Sequence, residues 1–276
     1  MLKISLPFGA NTELSRRIVS SLILIGILVI TVGFDWLWGL VVTVFIIAGL
    51  YEFFTLLERK GIVIFKYFGI AIGTIIPLSI LFRFELTKGW ELFLVVLALL
   101  ALMLMQFRRK EHEGVIVGIS TTVFAILYVA WFLSFLIKIR YLPNGVGLIF
   151  SFFLIIKSGD IGAYLVGVRF GKTPFIPRIS PKKSVEGALG GLLFSILGAL
   201  ASRSLLHYPY FHLIFLGFFL GILGQLGDLS ESLMKRDCQI KDSSSILPGL
   251  GGVLDFIDSL LFTAPVFYFY MSLILK

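Results

Sequence analysis

Apolar runs divide this chain at nearly regular intervals, each close to the length a helix needs to cross a bilayer. They fall at about 18–34, 37–57, 64–82, 91–107, 115–137, 145–168, 185–203, 211–233 and 252–274. A span takes about 20 predominantly apolar residues. Hydrocarbon offers no water to backbone groups, so each run must close its own hydrogen bonds as a helix. The alternating ten-residue pattern of a membrane barrel is absent. With 58% hydrophobic residues, 14% charged residues and a mean hydropathy of +1.01, the expected fold is all-α. It is a polytopic membrane bundle of about nine transmembrane helices. No leader peptide is expected, because the first apolar run comes late and no small-residue cleavage site follows it.

The 24 Lys and Arg residues are unevenly shared between the two ends of these runs. One side takes Lys3, Arg16, Arg17, Arg59, Lys60, Lys66 and Arg108 to Lys110. It continues with Arg169, Lys172, Arg178, Lys182, Lys183, Lys235, Arg236 and Lys241. The other side holds Arg83, Lys88, Lys138, Arg140, Arg203 and Lys276, and Lys157 falls inside a span. The rich side is cytoplasmic by the positive-inside rule, which puts the N-terminus inside the cell membrane and the C-terminus outside. The net charge of +8 therefore reflects topology first and an anionic ligand second, and no nucleic acid is expected as a partner. A single cysteine, Cys238, excludes an intrachain disulfide. The three histidines form no zinc-like grouping, and no Walker A or Gly-x-Ser-x-Gly pattern occurs.

Polar residues gather where the topology would bring them together. Residues 232–258 interrupt two apolar runs with Lys235, Arg236, Asp237, Lys241, Asp242, Asp255 and Asp258. Ionisable groups cost about 2.5–3.5 kcal/mol each at a membrane-helix centre, so a cluster of them marks a functional site. Asp228, Ser232 and Lys235 stand at i, i+4 and i+7 on one helix face, and Asp255 and Asp258 at i and i+3 on another. Asp160, Asp228, Glu186 and the Asp255–Asp258 pair all reach a similar depth near the cytoplasmic side. Carboxylates from two helices suit magnesium, which takes oxygen ligands together with substrate phosphates. The alternative is structural ion pairing of Asp228 and Asp255 with Lys235 or Arg236. Lys182, Lys183, Arg236 and Lys241 would surround the acids and suit a polyanionic substrate. Ser180-Pro181 reads as a turn, and Pro248-Gly249-Leu250-Gly251-Gly252 could offer backbone N–H groups to a phosphate at a helix N-terminus. The first five spans carry few charges and read as packing and anchoring helices. Glu52 reads as snorkelling or paired with Arg59 or Lys60.

Ser232-Leu233-Met234-Lys235-Arg236, Lys241-Asp242, Pro248-Gly249-Leu250-Gly251-Gly252 and Asp255-Phe256-Ile257-Asp258 together resemble the signature of the phosphatidate cytidylyltransferases. Asp160-Ile161-Gly162-Ala163-Tyr164 and Ser180-Pro181-Lys182-Lys183-Ser184-Val185-Glu186-Gly187 resemble the same family. The likeness is strongest over about residues 155–262. Two positions depart from the pattern: the family has His where this chain has Leu250, and Arg where it has Phe256. Any phosphate contact made by that arginine must come from elsewhere, with Arg236 and Lys241 as candidates.

The resemblance implies transfer of the cytidylyl group of CTP to phosphatidic acid, giving CDP-diacylglycerol and pyrophosphate. It implies Mg2+, with room for a second cation, and a homodimer in the lipid bilayer. Asp228 and Asp255 would be the metal ligands, with Asp258, Asp160 and Glu186 in support. Lys182, Lys183, Arg236 and Lys241 would hold phosphates, oriented by Ser232, Asp242 and Ser245. Residues 1–140 would anchor and 141–276 would carry the chemistry, around a polar cavity open to lipid and cytosol. The alternatives are a CTP-dependent kinase of a polyprenol-type alcohol, which would release CDP, and a secondary transporter with an acidic coupling site.

Overall fold

The computed structural model describes residues 8–84, 89–107, 113–240, 244 and 251–275, with side chains from residue 19 onward. It is an all-α membrane protein in which the apolar runs become helices. They are α1 (Phe8–Val32), α2 (Asp35–Arg59), α3 (Lys66–Leu81), α4 (Trp90–Gln106), α5 (Val115–Ala125), α6 (Phe132–Tyr141), α7 (Gly145–Phe170), α8 (Val185–Ala201), the short α9 (Arg203–Leu206), α10 (Tyr210–Asp237) and α11 (Val253–Ile274). A π-helical turn, Ile126–Trp131, joins α5 and α6 into one rod. Among the described residues, five helices are long and apolar enough to cross a membrane: α2, the Val115–Tyr141 rod, α7, α10 and α11. Val19–Val32, α3, α4 and α8 are shorter apolar helices. Large side chains such as Ile30, Leu104, Leu189 and Phe211 point outward, which a lipid solvent tolerates and water would not.

The core sits where α2, α6, α7 and α11 meet, around Ile46, Leu50, Phe54, Phe135, Phe152 and Phe267. Trp38 is buried there, and its indole N–H donates to the Leu136 carbonyl at 3.0 Å. No hydrophobic gradient drives helices together inside a bilayer, so close backbone approach does much of that work. A Cβ at Gly227 of α10 would lie 2.4 Å from the Asp258 carbonyl oxygen of α11. Only a glycine lets the two helices meet there, and this closeness brings Asp228 beside Asp258. A Cβ at Gly162 of α7 would likewise strike the Phe194 ring of α8 at 2.4 Å.

The expected turn at Ser180-Pro181 is instead a strand. β1 (Pro174–Ile176) and β2 (Ser180–Ser184) form an antiparallel hairpin, paired Pro174 to Ser184 and Ile176 to Ser180. The chain reverses at residues 177–179, one step earlier than the proline suggested.

Glu52 neither snorkels nor pairs with Arg59 or Lys60. It is 2% exposed, and its carboxylate accepts from the backbone N–H of Val253 at 3.0 Å and of Leu254 at 2.8 Å, and from the Ser244 hydroxyl. These N–H groups are among those a helix start leaves unpaired, and the carboxylate also complements the helix dipole. An acid on α2 therefore fixes where α11 begins. Glu52→Ala should lower stability by about 2–3 kcal/mol, the worth of lost hydrogen bonds to a charged group. Glu52→Gln, which keeps an acceptor, should lose about half of that. Thermal unfolding in detergent measures both.

Candidate active site

The ends of α10 and α11 carry the ionic centre, and two lysines hold it together. Lys235 lies in the last turns of α10, and its ammonium pairs with Glu231 one turn back and with Asp255 in the first turn of α11. Glu231 is fully buried. The lysine thus bridges the two helices with a carboxylate on either side. Lys183 extends from β2 to Asp228 of α10 at 2.6 Å. Arg236 donates to the Ile179 carbonyl at 3.2 Å. The hairpin is therefore fastened to α10 at two points, which brings the residue 180–184 segment over the site.

Asp258 is partly buried, lies within electrostatic reach of Asp228, Lys157, Glu231 and Asp160, and forms no ion pair among the described residues. Lys157 pairs with Asp160 on α7 at 2.9 Å. Five carboxylates (Asp160, Asp228, Glu231, Asp255 and Asp258) thus meet three lysines (Lys157, Lys183 and Lys235). The opposite end of the bundle behaves differently: Lys138 pairs with Glu91 at 2.6 Å and Arg140 with Asp35 at 2.7 Å, one base per acid.

The structure brings together Asp228, Asp255 and Asp258 with Lys183, and it adds Glu231 and Lys235. The structural alternative for Asp255 is what is seen, a pair with Lys235; Asp228 takes Lys183 instead, and Arg236 takes a carbonyl. Ser232 is partly buried on the same helix, and Lys182 is exposed on the hairpin. Glu186 is turned elsewhere. It accepts from the backbone N–H groups of Lys172 and Thr173 at 3.1 and 3.2 Å and from the Thr173 hydroxyl at 2.9 Å, closing the chain after α7. Lys241, Asp242 and Ser245 lie outside the described residues. Pro248, Gly249 and Leu250 of the glycine-rich turn lie outside the described residues, and three backbone N–H groups at the start of α11 are already bonded to carboxylates. The N–H of Gly252 donates to Asp255 at 2.7 Å, and those of Val253 and Leu254 to Glu52.

Two further residues escaped the sequence reading. Tyr128 is 3% exposed, and its hydroxyl has no hydrogen-bond partner among the described residues. It lies in the π-helical turn, stacked on Phe124 at 5.2 Å and within electrostatic reach of Asp258 and Glu231. A π turn is a frequent mark of functional helices, but single-sequence periodicity does not reveal one. Lys157 is the second, with its ammonium 5.1 Å from the centre of the Phe256 ring. Where the family pattern has arginine on α11, this chain has Phe256, with the Lys157 ammonium of α7 over its ring.

The residues fit a hard cation by donor chemistry. The Glu231 oxygens, the Ser259 hydroxyl and the Lys183 ammonium are buried without well-aligned hydrogen bonds, although Glu231 and Lys183 keep their ion pairs. Oxygen donors and surplus negative charge are what magnesium takes. Among the described residues no three acids converge on one point as a closed metal cage. Magnesium usually needs only one or two protein carboxylates beside waters and phosphates.

Fold and cluster define an integral membrane protein whose C-terminal helices build an ionic centre. Residues 15–274 match the cytidylyltransferase family, and the chain belongs to it. It is an enzyme of that family. It is 32% identical to the phosphatidate cytidylyltransferase of a Synechocystis species over 293 residues, covering 95% of this chain and 97% of the relative. The phosphatidate cytidylyltransferase of Bacillus subtilis is 43% identical over 152 residues, 54% of this chain and 56% of that protein. That of Aquifex aeolicus is 41% identical over 177 residues, 64% of this chain and 66% of its own length. The chain thus spans little more than half of the Bacillus relative.

Removing Lys235 strands two acids. Lys235→Met should destabilise the protein by about 3–5 kcal/mol, as breaking one side of a buried ion pair does. Adding Glu231→Gln should recover part of that loss. A double-mutant cycle on detergent melting temperatures measures the coupling.

Proposed function

We propose that this enzyme transfers the cytidylyl group of CTP to phosphatidic acid, giving CDP-diacylglycerol and pyrophosphate, with Mg2+ and at the cytoplasmic face of the cell membrane. The observation that carries this reading is the end-to-end match to the Synechocystis phosphatidate cytidylyltransferase. The surplus of carboxylates between α10 and α11 supports it. The reading includes nine membrane-crossing helices with the N-terminus inside. Residues 1–140 mainly anchor, and residues 141–276 carry the chemistry. A second copy of the chain is the proposed partner.

A phosphate oxygen of the lipid attacks the α-phosphorus of CTP, and the bond to the β-phosphate oxygen breaks to release pyrophosphate. The nucleophile is already anionic, so the task is to bring two anions together. Asp228 and Asp255 would hold the cation, supported by Asp258, and a bound magnesium would neutralise charge on the transferring phosphate. Lys183, Lys182, Arg236 and Lys241 would bind the triphosphate. Ser232, Asp242 and Ser245 would orient it, Asp160 would support the site from α7, and Glu186 would act only indirectly, by holding the chain after α7 in place.

Purified protein given labelled CTP and phosphatidic acid should form CDP-diacylglycerol and pyrophosphate, and EDTA should abolish turnover. Asp228→Ala or Asp255→Ala should reduce turnover by about 100-fold or more, as loss of a transition-state electrostatic contact does. Release of CDP without pyrophosphate would replace this reading by a lipid-alcohol kinase. Near wild-type activity in both variants would remove the cation assignment.

A further inference from the structure

Lys157 is the midpoint of α7 and about a third exposed, in a helix whose other central residues, such as Phe152, Ile155 and Ile156, are apolar and buried. A cation at that depth costs about 2.5–3.5 kcal/mol on insertion scales. Its Asp160 pairing is between neighbours on one helix, and both side chains stay partly exposed, so the pair leaves part of the ammonium open to a further anion. The ammonium also lies over the Phe256 ring, a weaker cation–π contact. Neither contact accounts for a lysine here.

The surroundings do. A narrow apolar groove of about 50 Å3, partly open at the surface, runs between α1, α2, α6, α7 and α11. Trp38, Phe45, Phe153, Ile257 and Leu260 line it, and Phe256 forms one wall against Phe45 at 5.7 Å. Phe153 and Lys157 are four residues apart on one face of α7, so that face changes from groove wall to cation within one turn. On its other side Lys157 is within electrostatic reach of Asp258. The lysine thus stands between an apolar groove and the carboxylate cluster. Hydrocarbon is the fitting occupant of the groove, and an anion is the fitting partner of the lysine. One molecule with both parts is a lipid carrying a phosphate monoester.

We propose that Lys157 binds the phosphate of the lipid substrate, with an acyl chain of that lipid seated in the groove that ends at Phe256. This deepens the reading above and rests on it for the identity of the lipid. The binding itself can be tested without turnover.

The full chain carrying Trp36→Phe, Trp90→Phe and Trp131→Phe, which leaves Trp38 as the reporter, serves as wild type here. It is titrated in phosphatidylcholine nanodiscs with phosphatidic acid brominated on its acyl chains, and tryptophan quenching is the readout. Brominated phosphatidylcholine is the control. Wild type should be quenched preferentially by the phosphate-headed lipid. Lys157→Gln should lose that preference, and Lys157→Arg should keep it. In steady-state assays Lys157→Gln should raise the KM for phosphatidic acid by about tenfold or more, the loss of one charge-assisted hydrogen bond, and leave the KM for CTP within about twofold. If Lys157→Gln does not fold, Phe256→Ala should still raise the KM for phosphatidic acid by about threefold through loss of the supporting ring. Equal quenching by both lipids in wild type overturns the proposal. So does an unchanged KM for phosphatidic acid in the variants, or a rise confined to CTP. Preferential quenching that depends on Lys157, in a protein that forms no CDP-diacylglycerol, upholds the lipid site and overturns only the assigned reaction.

Discussion

A charge inside a bilayer has almost nothing to interact with except another charge, and this constraint organises the C-terminal half of the protein. Lys235 answers it by standing between Glu231 and Asp255, so that α10 and α11 cannot separate without exposing an ion to hydrocarbon. The helices can meet closely enough because Gly227 leaves room against the Asp258 backbone. A small residue and a salt bridge thus act on the same contact. The glycine permits the approach and the lysine fixes its register, and together they place Asp228 and Asp258 side by side.

The anchoring half takes part in this as well. Glu52 of α2 reaches across the core to cap α11, and Tyr128 looks toward the carboxylates from a π turn in the neighbouring rod. The start of α11 is consequently occupied by two acids, Glu52 from outside and Asp255 from within. The backbone N–H groups of Gly252, Val253 and Leu254 thus serve structure.

Helix positions were legible because a bilayer enforces one hydrogen-bonding solution, so each apolar run became a helix; among the described residues five of these are long enough to cross a membrane and four are shorter. Asp228, Asp255, Asp258 and Lys183 were legible because charge in a greasy chain is expensive and spacing shows which charges share a face. Partner choice was not legible. Glu52 resembles any acid near a helix end until α11 arrives beside it, and Lys157 gains meaning only when Phe256 and the groove come into contact with it. The hairpin was misread because a proline can open an edge strand as well as a turn.

The arithmetic of the cluster bears on how phosphates could enter it. Among the described residues each of these three lysines is already committed to a carboxylate. A lone triphosphate would have to break those ion pairs to reach the lysines. On the proposed reaction, a triphosphate arriving with its divalent cation meets the opposite situation. The acids can turn to the cation and the lysines to the phosphates, so ion pairs are exchanged and none is simply lost. Exchange matters more here than on a soluble surface, because an unpaired ion in a medium of low dielectric is far costlier than one in water. The one-to-one pairs at the opposite end, Lys138 with Glu91 and Arg140 with Asp35, have no neighbouring acid to share. At the ends of α10 and α11 Lys235 is shared by two acids, so one group of ions joins the helices and, on the proposed reaction, also meets the ligand.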